Sequence, residues 1–484
     1  MIDVFPFAHY PVAVFGLGRS GLSAAKALVK SGAEVMAWDD NEDARAAAAA
    51  QGVPLVDLYQ CDWKEHTTLV LSPGIPLHHP KPHKIVQLAE AANVEVIGDV
   101  ELLVRAQRGA GYIGITGTNG KSTTTALIGH ILQISGREAE IGGNLGIPAL
   151  DLEPLETDGT YVLEMSSYQL ELTKSITFDV AVMLNLSPDH LDRHGGMDGY
   201  AAVKKSIFKR QTRPRTAVIG VDDVYCRAIY DELVAADEQV VIGVSGSDRV
   251  PGGVYAAGGV LVDDTEGTEA MVMDLAENPC LPGQHNWQNA AAAYAAAKSI
   301  GVQSHAIMAC INSYPGLVHR QEAVAIVDGV GFVNDSKATN AEAAVRALEC
   351  YDATYWIAGG RPKEGGLQAT VNHLDHVRHA FLIGEASMEF SKFLDGRVPM
   401  TMSGDLKTAV AQAAKMAKAE AVKGEAAPVV LLSPAAASFD QFDDFEARGD
   451  AFRDLVEALP GTHMDPFEEP GIFPGTKRGE EATA

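Results

Sequence analysis

The chain has little that would tie it to nucleic acid, to a membrane or to an oxidising compartment. Its 38 lysines and arginines are outnumbered by 64 aspartates and glutamates, a formal charge of −26, and no Lys/Arg-rich run offsets the excess locally. Such a field repels nucleic acid and anionic lipid surfaces, so neither is expected as a partner. No window approaches the ~20 uninterrupted apolar residues of a membrane span, so no membrane insertion is expected. The start, Met1-Ile2-Asp3-Val4-Phe5-Pro6, lacks the basic region and apolar run of a secretory signal. Cysteine is scarce: Cys61, Cys226, Cys280, Cys310 and Cys350 are scattered, odd in number and never spaced C-x-x-C. That pattern excludes a disulfide frame and a cysteine zinc site. These absences leave a cytoplasmic protein with reduced core thiols.

What is present is a packed globular composition, 46% hydrophobic and 21% charged. At ~150 residues per domain, 484 residues make about three domains. Small-molecule partners and a monomeric state are expected. An acidic chain that binds anions must place its few cations in the site itself, which directs attention to Lys121, Arg320, Lys337 and Lys363.

Residues 114–125 read Gly-Ile-Thr-Gly-Thr-Asn-Gly-Lys-Ser-Thr-Thr-Thr. They follow the apolar pair Tyr112-Ile113 and precede a helical pattern over 126–132, the strand-to-helix position of phosphate-binding loops. Gly117 and Gly120 let backbone N–H groups converge on an anion, the helix N-terminus adds its dipole, and Lys121 supplies a mobile charge for the outer phosphates. Ser122 or Thr123 offers a hydroxyl to Mg²⁺. Ile115 stands where the common G-x-x-x-x-G-K-[ST] pattern has its first glycine, so the loop is a variant. Downstream, Glu164 ends the apolar strand Tyr161-Val162-Leu163-Glu164, in the position of a metal-directed carboxylate.

Ahead of this loop, Val12-Ala13-Val14-Phe15 leads into Gly16-Leu17-Gly18-Arg19-Ser20-Gly21, a helical stretch, and a second strand that ends at Asp39. This is a βαβ unit with a G-x-G-x-x-G turn. Read alone it is an NAD site, yet the same turn suits any diphosphate on a helix N-terminus. The strand Thr68–Leu71 then runs into the rigid turn Ser72-Pro73-Gly74-Ile75-Pro76 at the same sheet edge.

The fold class read from this order is α/β in three domains. Residues 1–104 form a Rossmann-like domain, and 105–316 a central P-loop ATPase-like domain with a small appended sheet between about 216 and 281. Residues 317–461 form a second Rossmann-like domain, and 462–484 a flexible, Pro- and Glu-rich tail.

Three runs in this order carry a resemblance: Thr116-Gly117-Thr118-Asn119-Gly120-Lys121-Ser122, Asp189-His190-Leu191-Asp192-Arg193-His194, and Gly283-Gln284-His285-Asn286-Trp287-Gln288-Asn289-Ala290. Together they resemble the Mur ligase family, which builds the peptide stem of bacterial peptidoglycan by ATP-dependent amide synthesis. Asn334-Asp335-Ser336-Lys337-Ala338-Thr339-Asn340 and the run 432–442 resemble the member that adds D-glutamate to UDP-N-acetylmuramoyl-L-alanine. The likeness spans about residues 10 to 460.

The resemblance implies ATP and two Mg²⁺ ions, and a first domain that holds the UDP end of the substrate rather than a nicotinamide. Gly16, Gly18, Arg19, Ser20 and Gly21 would contact the diphosphate, Asp39 and Asp40 would lie near the uridine, and Ser72 and Gly74 would close over the same ligand. Gly117, Thr118, Asn119, Gly120, Lys121, Ser122 and Thr123 would hold the ATP phosphates. Ser122 and Glu164 would bind the first Mg²⁺ and His190 the second. Lys204, one helical turn after Tyr200, matches a lysine that the family carbamylates with CO₂; Lys205 beside it leaves the register open, and the spacing from Tyr200 favours Lys204. A carbamate turns a cation into an anion able to neutralise Mg²⁺.

Asn144 would reach the muramoyl-alanine carboxylate or its metal, Asn289 the adenine, Arg320 the ATP phosphates, and Asp335 the ribose or Lys337. Lys337, Thr339, Lys363, Ser438 and the backbone of Phe445 would hold the carboxylates of D-glutamate. Lys121, Glu164, Asn144, His190 and Lys204 are thus the expected catalytic set. ATP lying between the second and third domains implies closure on the substrates. Two other readings stand beside this one: a sister ligase that adds a different amino acid or extends folate with glutamate, and an NAD-binding regulator with an inactive P-loop.

Overall fold

The computed structural model of the chain describes residues 1–466 except 145, 277, 279, 364, 425 and 426. Among the described residues the strands form three sheets, of four, nine and seven strands.

In the first sheet β1 (Pro11–Phe15), β2 (Glu34–Trp38), β3 (Thr68–Leu71) and β4 (Glu95–Ile97) run parallel in the order β2-β1-β3-β4. Val12, Ala13, Val14 and Phe15 are all buried, as expected of a parallel strand covered on both faces. The helix Arg19–Lys30 lies so close to β1 that a Cβ on Gly21 would stand 1.8 Å from the Gly16 carbonyl oxygen. The helix Asp99–Ala106 fastens this sheet to the next part of the chain. Glu101 is fully buried, with Oε2 accepting from the amides of Lys174 (2.7 Å) and Ser175 (2.9 Å) and Oε1 from Arg105 Nε (2.8 Å).

The second sheet is built around β5 (Gly111–Thr116), flanked by β7 (Thr160–Glu164) and β8 (Val180–Met183), with β6 (Ala139–Gly143) outside β7. β9 (Thr216–Gly220) and β10 (Val240–Ser245) continue it in parallel beyond β8, and β11 (Val254–Ala257) follows. β12 (Val260–Asp263) and β13 (Ala270–Asp274) turn antiparallel at the edge. The strands after residue 216 are appended to the central sheet as its continuation; β11 joins by pairing Val244 with Val254 and Ser245 with Tyr255. Ile113 and Ile115 of β5 pack in one buried cluster with Leu127, Ile128, Ile131 and Leu132 of the helix Lys121–Ile134. Truncating one of these to alanine would cost about 2–5 kcal/mol. The alanines of the helix Gln284–Ser299 let it lie against that helix over its length, and this places Asn289 at the phosphate loop.

The third sheet has the order β18-β17-β16-β19-β15-β14-β20. β15 (Val330–Asn334), β16 (Thr354–Gly359), β17 (Val377–Ile383), β18 (Met400–Gly404) and β19 (Val429–Leu432) are parallel; β14 (Glu322–Val327) runs antiparallel to β15, and β20 (His463–Met464) antiparallel to β14. β19 lies between β15 and β16, so the carboxyl ends of these three strands open a crevice at a topological switch point. β20 corrects the expectation of a tail from 462 onward, because its residues pair with Ile326 and Val327. Residues 467–484 of that expected tail, and Leu145 of the expected turn after β6, lie outside the described residues.

Candidate active site

Thr116 and Glu164 stand at the carboxyl ends of β5 and β7, and this edge of the second sheet faces the switch point of the third. Between them lies a cleft of about 370 Å³. It brings together Thr118, Asn119, Gly120, Lys121, Ser122, Thr123, Asn144, Glu164 and Asn289 from one side, and Arg320, Asp335 and Lys337 from the other.

Gly120 caps the helix Lys121–Ile134 with φ +84°, and a Cβ there would stand 2.2 Å from Asn289 Oδ1. Both facts demand glycine. Lys121 Nζ donates to the carbonyls of Gly117 and Thr118, at 2.9 Å each, so the ammonium is folded over its own loop. Burial lowers its pKa. Glu164 is buried with Oε1 accepting from Asn144 Nδ2 at 2.7 Å, while Oε2 has no partner. An orphaned carboxylate oxygen beside the Ser122 hydroxyl loop is costly unless a cation takes it up, so these residues fit Mg²⁺. Ser122 Oγ accepts from Arg320 Nη2 at 3.3 Å, a contact that spans the two sides of the cleft. Among the described residues no group of three or more His, Cys, Asp or Glu side chains forms a ready cage; substrate oxygens would complete the coordination.

The structure separates the two candidate lysines. Lys204 is buried, its Nζ donating to Thr116 Oγ1 (3.1 Å) and the Gly117 carbonyl (2.9 Å), with the Tyr200 ring 5.0 Å away. Lys205 points outward to Glu232 at 2.5 Å. Burial, then the neighbouring Lys121, pushes the Lys204 pKa down to about 7. His190 lies outside the cleft lining, about half exposed, in the left-handed region (φ +50°), with Nε2 3.5 Å from Asp189 Oδ2 and its ring 5.3 Å from Tyr168. His194 is buried between Tyr168 and Tyr200, with Nε2 2.9 Å from Ser167 Oγ and Nδ1 3.4 Å from Glu171. Burial pushes His194 down to about 4 and Glu171 up to about 7.

On the third sheet, Asp335 is buried and accepts from Ser433 Oγ (2.8 Å) and the Gln321 amide (3.2 Å); burial raises its pKa to about 7. Lys337 Nζ lies 5.2 Å from the Phe445 ring, and burial followed by Arg320 lowers its pKa. Thr339 Oγ1 accepts from the exposed Lys363 at 3.3 Å. Ser438 is buried in the loop that follows β19, and the Phe445 carbonyl accepts from Ser336 Oγ at 2.8 Å. These last four residues lie beyond the cleft lining.

At the edge of the first sheet, Gly16 (φ +87°) opens the turn and Asp39 Oδ2 accepts from the Leu17 amide at 2.5 Å, so Asp39 is committed to holding that turn. Asp40 accepts from Tyr59 Oη at 2.9 Å and lies 3.5 Å from His83 Nε2. Ser72 packs against Gly16, whose Cβ would stand 2.6 Å from Ser72 Cβ. Gly18, Arg19, Ser20 and Gly21 form the turn and first residues of the helix beside it, and Gly74 is exposed.

Three residues that sequence reasoning passed over belong to this framework. Asn185, after β8, accepts from the Asn119 amide (2.9 Å) and lines the cleft. Its signal was its place at a strand end. Arg448, buried among carbonyls, donates from Nε to Ser336 Oγ (3.0 Å), from Nη2 to the Ser336 carbonyl (2.8 Å) and from Nη1 to the Ala436 carbonyl (3.2 Å). It pins the ends of β15 and β19 together, and burial pushes it down to about 10. Nothing in its sequence neighbourhood marks it. Tyr168 touches both histidines of the loop after β8.

Fold and cleft define a three-sheet α/β protein with a phosphate loop set against a switch-point crevice. Residues 115–297 match the Mur ligase middle domain and residues 10–98 the Mur ligase MurD-like N-terminal domain. The chain belongs to the Mur ligase family. It is 52% identical over 465 residues to the UDP-N-acetylmuramoylalanine–D-glutamate ligase of Caulobacter sp. (strain K31), covering 95% of this chain and 98% of that one. The proteins of the same name from Rhodospirillum rubrum (50%, covering 96% and 97%) and Rhizobium meliloti (49%, covering 96% and 100%) are similarly close. Among solved structures, a UDP-N-acetylmuramate-alanine ligase from Thermotoga maritima shares the fold, with TM-score 0.53 at 16% identity over 93% of this chain and all of that one. A pseudomurein peptide ligase type C from Methanothermus fervidus does so with TM-score 0.52 at 18% identity over 93% and 100%.

Proposed function

We propose that this chain is an ATP-dependent ligase that joins D-glutamate to UDP-N-acetylmuramoyl-L-alanine, releasing ADP and phosphate, in cytoplasmic synthesis of peptidoglycan precursors. The observation that carries the proposal is the 52% identity to a ligase of that name over 95% of the chain. The cleft, with cations from both sides and one orphaned carboxylate, supports it. Residues 1–104 hold the UDP substrate, 105–316 hold ATP, and 317–461 hold D-glutamate.

Amide synthesis from a carboxylate needs an activated acyl group. An oxygen of the L-alanine carboxylate attacks the γ-phosphorus, ADP leaves, and an acyl phosphate forms. The amine of D-glutamate then attacks the acyl carbon, inorganic phosphate leaves, and the nitrogen loses a proton. Phosphoryl transfer of this kind is chiefly positioning and charge neutralisation. Lys121 leaves its two loop carbonyls for the outer phosphates of ATP, and the loop amides from Thr118 to Ser122 surround them. Arg320 supplies further positive charge from the opposite wall, and Asn289 meets the adenine. Asp335 orients the ribose or Lys337.

Ser122 and Glu164 would hold one Mg²⁺, and His190 with Lys204 a second; such ions would supply charge neutralisation for the phosphates. A Lys204 pKa near 7 leaves much of the amine neutral at physiological pH, the form that adds CO₂ to give a carbamate. Asn144 orients Glu164 and reaches the acceptor carboxylate. Lys337, Thr339, Lys363, Ser438 and the backbone of Phe445 fix the two carboxylates of D-glutamate, so that only the D form presents its amine to the acyl carbon. Gly16 to Gly21, Ser72 and Gly74 take the diphosphate, and Asp40 lies at the uridine end.

Phosphate release from ATP in the presence of UDP-N-acetylmuramoyl-L-alanine tests this, with D-glutamate, L-glutamate, L-lysine and meso-diaminopimelate offered in parallel. Turnover with D-glutamate alone is expected. Turnover with a different amine moves the chain to another branch of the family, and none with any amine overturns the ligase reading.

A further inference from the structure

The loop after β8 that carries His190 is bracketed from two directions. Arg193 Nη1 donates to the Gly74 carbonyl at 3.1 Å, reaching from the second sheet to the turn Ser72-Pro73-Gly74 of the first. The same guanidinium lies 4.5 Å from the centre of the Tyr168 ring, and that ring in turn lies 5.3 Å from His190. A second contact joins the two loops: Gly195, whose φ of +70° favours glycine, lies where a Cβ would stand 3.1 Å from His79 Cε1.

An arginine is suited to this place because its planar head can stack on an aromatic ring while an edge N–H donates to a carbonyl. Arg193 is half-buried against Tyr168, and its contact to the exposed Gly74 carbonyl lies at the surface of the junction. On the ligase reading, Gly74 belongs to the turn that would close on the UDP substrate, and His190 would stand toward the acceptor end of the same molecule. One side chain therefore touches the turn at one end of the substrate and the ring that supports the residue at the other.

We propose that Arg193 is a positioning residue that couples the diphosphate turn Ser72–Gly74 to the His190 loop through Tyr168. Seating the diphosphate then fixes where His190 stands. This rests on the ligase reading above.

The test uses the full-length chain with Arg193→Ala, Arg193→Lys, Tyr168→Leu and the double variant Arg193→Ala/Tyr168→Leu. Calorimetric binding of UDP-N-acetylmuramoyl-L-alanine and the kinetic constants for each substrate are measured. Arg193→Ala is expected to weaken binding and raise the KM for the UDP substrate about tenfold and to lower kcat, with the KM for ATP changed by less than about twofold. Arg193→Lys, which keeps a cation and one donor, is expected to recover part of both losses. The double variant is expected to be no worse than the poorer single variant, as for two parts of one device. A folded Arg193→Ala chain with unchanged KM for the UDP substrate overturns the coupling, as do fully additive losses in the double variant. Should Arg193→Ala fail to fold, Arg193→Lys and Tyr168→Leu decide the matter by the same constants. Failure of the wild-type chain to bind the UDP substrate overturns the ligase reading as well; binding that is equal in all variants overturns the coupling alone.

Discussion

At the residue scale, the site is a set of side chains held against their solvation preference. Glu171 shows the effect on stability. Its ordinary pKa is 4.5 and burial raises it to about 7. Between those values the folded chain keeps a proton that the unfolded chain has released, so this group makes stability fall as pH rises, and its penalty is complete above about pH 7. Glu171→Gln should therefore be more stable than wild type at pH 8, by about 1–2 kcal/mol once solvent screening is allowed for, with the difference shrinking toward zero near pH 4.5. Thermal melts at the two pH values check it. Gly120→Ala should lower ATP affinity about tenfold or more while the fold survives, because φ +84° and Asn289 at 2.2 Å oppose any Cβ; calorimetry with ATP reads this. Carbon-13 NMR with labelled CO₂ should give a carbamate signal in wild type and none in Lys204→Arg. Most of the cleft was legible because the phosphate loop is local in sequence. Asn185 and Arg448 were not, since Asn185 bonds Asn119, 66 residues away, and Arg448 bonds Ser336, 112 residues away.

At the element scale, the parallel strands announce themselves as short apolar runs ended by polar residues. β1, β3 and β7 were read to within a residue, because burial on both faces leaves no alternation to confuse. The strands after residue 216 were read as a small appended sheet, and how they attach was not legible for a physical reason. Strand existence is written in local pattern, but which edge a strand joins depends on pairing across distance, and β10 meets β11 at only two residue pairs. The turn after β1 allows a sharp prediction. Gly21→Val should abolish binding of the UDP substrate and lower the melting temperature, since its Cβ would overlap the Gly16 carbonyl oxygen at 1.8 Å. Retained UDP-substrate affinity in calorimetry would count against a diphosphate role for that turn.

At the scale of the whole molecule, an acidic exterior of net charge −26 surrounds a cleft whose walls supply Lys121, Arg320 and Lys337. The exterior repels polyanionic substrates and the cleft attracts them, and salt screens both over about 8 Å at physiological ionic strength. Distances inside the cleft are shorter than that. Raising salt from low to physiological strength should therefore change the KM for ATP by less than about threefold, as steady-state assays would show.

The two-residue strand β20 has a further consequence. Met464 and His463 occupy the outer side of β14, with Thr462 N donating to Asp328 Oδ1 at 2.9 Å. Without them β14 would present a bare row of backbone donors and acceptors to any passing chain. A chain shortened after Gly461 should keep its cleft yet self-associate through that edge, so colloidal stability, read by light scattering at rising protein concentration, depends on residues far from the chemistry.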